Sequence, residues 1–127
     1  MSLRNPLARA RGLGSAKEGV HHWWMQRVSA IALAVLVPWF IVFVIRHLGA
    51  DHAAMHDAVA HPLNATLLVL LVGATFHHAR LGVQVVIEDY VHTGFLEVTL
   101  QLLVRFATLV AAVAAIFAIV RIALSAG

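Results

Sequence analysis

Three long apolar stretches dominate this chain and leave it few ways to fold. Val28 to Ile45 is an uncharged run of eighteen residues, about the shortest helix that crosses a hydrocarbon core of roughly 30 Å. Leu63 to Ile87 is a second run, broken only by His77, His78 and Arg80. Phe106 to Val120 is a third, fifteen residues long, and the flanking Arg105 and Arg121 extend its reach by snorkelling to both interfaces. With 61% hydrophobic and 12% charged residues among 127, the chain lies far from the roughly 25% charged of soluble domains. The pattern predicts an all-α integral membrane protein with three transmembrane helices. They are expected over about 24–47, 62–88 and 97–123, as one membrane domain of residues 21–127 behind a basic arm of residues 1–20.

The first apolar run is longer than the core of a secretory signal and two further spans follow it, so it is expected to stay in the protein. Arg4, Arg9, Arg11, Lys17 and Arg27 precede it, whereas the first loop sets only Arg46 against Asp51 and Asp57. This bias predicts a cytoplasmic N-terminus, a connection around Asp89 to Glu97 on the same side, and a periplasmic C-terminus. No long Ser-rich presequence precedes the spans, which favours a bacterial inner membrane over a mitochondrial one. The basic residues are scattered and half of them sit where a topology signal would, so the net charge of +3 reads as topology and not as nucleic-acid binding.

There are no cysteines, which removes disulfides, thiolate iron–sulfur ligation and thiol redox chemistry. Gly12, Gly14 and Gly19 do not follow a strand and form no phosphate-binding loop. A redox role would therefore draw electrons from a partner, and no catalytic residue is expected in this chain itself. Trp23 and Trp24 mark a membrane interface. Pro38 removes one backbone donor inside the first span and invites a bend. The segment Gly49 to Pro62 reads as a solvated loop, and Gly94 interrupts the pattern between spans two and three.

The nine histidines differ in setting. His52 and His56 are four apart, a spacing that can bind zinc from one helical face, yet with His47 and His61 they lie in or beside the loop near Asp51 and Asp57. His77 and His78 sit within the second apolar run. Consecutive helical residues point about 100° apart, so only one of them serves a given face. His78 is favoured because Gly82, one turn along the same face, leaves room for a flat porphyrin. Arg80, Gln84 and Glu88 form a neighbouring polar stripe suited to contacts with another subunit. Eleven residues beyond His78, roughly 16 Å of helix, Asp89 and Tyr90 form a polar pair near the surface. A deep metal-ligand candidate and a surface pair on one segment suggest electron transfer between a haem and a lipid-soluble carrier.

The stretch His78, Gly82, Gln84-Val85 and Asp89-Tyr90-Val91 resembles the second helix of the small anchor subunit, D, of succinate:quinone oxidoreductase (respiratory complex II). Gly19-Val20-His21, then Arg27, then Ala30-Ile31, resembles that family's entry into its first helix. The resemblance implies that His78 is an axial ligand of haem b, with the doublet leaving His77 as the other candidate. It implies that Tyr90 hydrogen-bonds a quinone carbonyl with Asp89 shaping the site, and that His21 and Arg27 lie near the haem propionates. A guanidinium near an interface pairs well with carboxylates.

A six-coordinate haem b commonly takes axial histidines from opposite faces. Neither the first nor the third apolar run contains a histidine, so the second ligand is expected from another chain. The resemblance implies the larger anchor subunit, C, within a heteromeric helix bundle that carries flavoprotein and iron–sulfur subunits and reduces ubiquinone. Rival readings are a fumarate reductase anchor, a purely structural anchor without haem, and a metal or proton transporter, which would need acidic partners within the spans.

Overall fold

The computed structural model describes residues 19–125, which form four helices and no strand. Helix α1 covers Gly19–Arg46, α2 His52–Ala60, α3 Pro62–Tyr90 and α4 Gly94–Ser125. Helices α1, α3 and α4 are each long and apolar enough to cross a membrane. They match the three expected spans and overrun them at most ends, because a helix continues through the interface until a turn residue stops it. The basic arm of residues 1–20 lies outside the described residues apart from Gly19 and Val20, which already belong to α1.

Lipid offers no partner to backbone N–H and C=O groups, so each crossing must close its own hydrogen bonds. Helix α1 runs unbroken through Pro38. At its end His47 Nδ1–H donates to Phe43 O at 2.7 Å, a side-chain cap on a carbonyl the helix leaves free. Gly49, with φ +83°, makes the left-handed turn that follows.

The expected loop between spans one and two folds further than its polarity suggested. Asp51 caps α2, its carboxylate accepting from Ala54 N at 2.8 Å, which satisfies a donor of the first turn. The His61 N–H closes α2 onto Asp57 O, the His61 carbonyl opens α3 by accepting from Ala65 N, and Pro62 stands at the first position of α3. Asn64 ties the two helices by donating to Ala58 O at 2.8 Å.

Helix α3 is the centre of the arrangement. It packs on α1 and on α4, while α1 and α4 do not pack on each other, and α2 lies against α3 and α4 at the far end. The buried residues, among them Leu36, Phe43, Leu68, Leu71, Leu81 and Ile87, line these seams. No described side chain of large volume is fully enclosed, and α4 buries no residue at all. Phe106, Val110, Val113 and Phe117 stand open along α4. Such a surface would aggregate in water, whereas lipid or a partner helix solvates it at no cost.

Asp51→Ala is expected to cost α2 about 1 kcal/mol of local stability. Faster amide exchange at residues 52–56, with α3 unchanged, is the measurement that checks it.

Candidate functional site

The end of the bundle where α1 begins, α3 finishes and α4 starts carries most of the polar side chains. Trp23 and Trp24 lie there with ring centroids 6.4 Å apart, as residues of an interfacial belt do. The Arg27 guanidinium rests 5.3 Å over the Trp23 ring, a cation–π contact that holds it beside the interface.

Farther in, His78 faces α1. Its Nδ1 lies 3.0 Å from the Ser29 hydroxyl, and that hydroxyl donates to Gln26 O at 2.9 Å. A serine has one hydrogen to give. Ser29 Oγ thus stands between Gln26 O and His78 Nδ1, which engages Nδ1 and leaves Nε2 without a partner among the described residues. Ser29 is only 6% exposed, which protects the bond from water and fixes the ring. An imidazole whose one nitrogen donates to a neighbour while the other stays bare is the usual form of a metal-ligating histidine.

The same face stays open along α3. A Cβ placed on Gly82 would meet nothing within 4 Å, so the glycine adds to an unfilled space beside His78. Asp89 lies eleven residues on, about 20° from His78 around the helix. It and Tyr90 are exposed, Tyr90 at 79%. The residues present therefore fit a planar group held by His78 on one face of α3, with a polar pair at the surface roughly 16 Å away.

His77 points elsewhere, as the 100° step between neighbours requires. It lines a cavity of about 450 Å³ with His22, Arg80, Gln84, Glu88 and Arg105. His21 also lies on this cavity, and no hydrogen bond joins His21 or Arg27 to His78 among the described residues. In the expected polar stripe, Gln84 donates to Glu88 at 2.9 Å. At the far end His56 Nε2 lies 3.1 Å from Ser125 Oγ and the His52 ring 6.3 Å from the His56 ring. Among the described residues no group of three or more His, Cys, Asp or Glu gathers to hold a metal ion.

Sequence reasoning passed over Ser29, His22 and the inward use of Arg105. Ser29 is a single hydroxyl one step inside an apolar run, and its partner lies 49 residues away. A polar residue that deep needs a partner, and that was the available signal.

Three helices long and apolar enough to cross a membrane, the central one packed on both others, define a multi-span helical membrane protein. The chain belongs to the succinate dehydrogenase/fumarate reductase transmembrane subunit family, whose model matches residues 1–120. Proteins named succinate dehydrogenase hydrophobic membrane anchor subunit resemble it over nearly their whole length. That of Rickettsia bellii is 35% identical over 92% of this chain and 94% of its own. The Rickettsia conorii protein is 38% identical over 87% and 91%, and the Paracoccus denitrificans protein 36% identical over 99% and 97%. No solved structure matches the chain.

Ser29→Ala removes the partner of His78 Nδ1 and is expected to cost about 1 kcal/mol, with Ser29→Thr restoring most of it. Unfolding of the detergent-solubilised protein measures both.

Proposed function

We propose that this chain is the hydrophobic membrane anchor of a succinate dehydrogenase, and that with a second anchor subunit, C, it holds haem b and forms the site where ubiquinone is reduced. The observation that carries the reading is the tied Nδ1 and free Nε2 of His78 on the open face of α3, on the same helix as the Asp89–Tyr90 pair. Relatives bearing the anchor-subunit name support the assembly.

His78 Nε2 would hold the haem iron from this chain, with the partner anchor supplying a further ligand. Arg27, which forms no ion pair among the described residues, would face the propionates from the head of α1, with His21 nearby. Haem b supplies a one-electron centre when bound and braces the helices that clasp it. Ser29 engages Nδ1 and leaves Nε2 to the iron.

Succinate oxidation by the flavoprotein subunit releases two electrons, which the iron–sulfur subunit passes to the membrane face. Ubiquinone takes up those electrons and two protons to become ubiquinol. Tyr90, whose hydroxyl has no partner among the described residues, donates to the quinone carbonyl oxygen, and this bond strengthens as charge builds there. Asp89 sets the local field. The pair stands at the end of α3, where water delivers protons over a short path. The basic residues ahead of the first span support a reading in which this end lies at the cytoplasmic face, here of a bacterial inner membrane.

His78→Ala should abolish the b-type absorption band of the purified complex while His77→Ala keeps it; undiminished pigment in both would overturn the assignment. Tyr90→Phe should lower quinone reduction by about tenfold, the loss of one transition-state hydrogen bond, and leave succinate oxidation by artificial dyes unchanged. Equal quinone reduction in wild type and variant would remove Tyr90 from the site.

A further inference from the structure

The cavity on the His77 side of α3 shares His21 with the haem edge proposed above, but His22, His77, Arg80 and Arg105 in its walls have no role there. Three buried side-chain atoms of the described residues lack a hydrogen-bond partner: His22 Nε2, His77 Nε2 and Arg80 Nε. All three residues line this one space. A buried polar atom left without a partner costs free energy wherever it sits. Three such residues around a single cavity therefore indicate a polar occupant.

Its chemistry follows from the donors. Arg80 from α3 and Arg105 from α4 bring two guanidinium groups to the cavity, and neither forms an ion pair among the described residues. Guanidinium forks select oxyanions, for which they offer paired N–H groups at matched spacing. No group of three or more His, Cys, Asp or Glu gathers at this cavity to hold a bare metal ion among the described residues. The occupant is thus an oxyanion, and a volume of about 450 Å³ leaves space for more than a bare ion.

Its source follows from depth and access. His22 adjoins Trp23 and Trp24, at the level where indoles meet phospholipid head groups. Because α1 and α4 do not pack on each other, no contact within the described residues closes the cleft between them, and a lipid has a lateral way in. We propose that this cavity binds the phosphate of a membrane phospholipid through Arg80 and Arg105, with His22 and His77 completing the hydrogen bonds.

Glu88 refines the choice of lipid. It lies two turns beyond Arg80, closer to the end of α3, and its carboxylate accepts from Gln84. The outer end of a lipid head emerges on that side of the phosphate. A carboxylate there favours an ammonium and disfavours a second negative charge, so an ethanolamine head fits better than a glycerol one.

The test uses the intact complex, stripped of lipid in detergent and then supplied with phosphatidylethanolamine, phosphatidylglycerol, phosphatidylcholine or inorganic phosphate. Native mass spectrometry counts retained lipid and thermal unfolding reads stabilisation. Phosphatidylethanolamine should be retained and raise the unfolding temperature more than the other two lipids, and inorganic phosphate should do neither. Arg80→Gln with Arg105→Gln should remove retention, and Arg121→Gln at the other end of α4 should leave it intact. If the double variant fails to assemble, Arg105→Gln alone changes an exposed residue and should weaken retention about tenfold. Glu88→Gln should erase the preference for ethanolamine. Retention unchanged in the arginine variants would overturn the proposal, and stabilisation by inorganic phosphate equal to that by lipid would replace the lipid with a soluble anion.

Discussion

A hydrocarbon layer supplies no hydrogen bonds, so every polar atom carried into it must find a partner within the protein or its assembly. In this chain one helix bears that burden. Helix α3 contains both histidines, the arginine and the glutamine of the membrane interior, and it alone packs on both other spans. The two sides of α3 answer the constraint differently. Toward α1, His78 meets a buried hydroxyl that is itself anchored on a carbonyl. Toward the cleft, polar atoms stay unmatched.

This division follows from packing. Helices α1 and α4 approach α3 from separate directions and leave open both the space beside Gly82 and the cleft lined by His77. Neighbouring histidines thereby enter different environments through a single 100° step. The exposed apolar flank of α4 and the uncovered Tyr90 are consistent with a family whose members work as subunits.

Much of this was legible in the residues. The apolar runs located all three spans, since bilayer thickness fixes their length, and the Asp89-Tyr90 pair sits at the end of its helix as its spacing implied. Helix α2 was hidden because its nine residues are too few to cross a membrane, and His52, His56 and Asp57 among them read as loop. What reveals it is a local device, the Asp51 cap, whose effect depends on backbone geometry. The partner of His78 was hidden for another reason: a contact across 49 residues depends on how two helices rotate against each other, which apolar periodicity does not specify when every face is apolar. For the same reason Arg105 read as an interfacial anchor, whereas it shares a cavity with Arg80.

The double duty of the Ser29 hydroxyl bears on biogenesis. The first span leaves the ribosome well before the second, carrying a polar group that would burden its entry into lipid. The bond to Gln26 O lies within the same helix, so the group is already sheltered when the translocon releases that segment. Its oxygen stays available to the histidine that arrives later. The hydroxyl thus satisfies its own helix through Gln26 and meets the returning helix of the hairpin through His78.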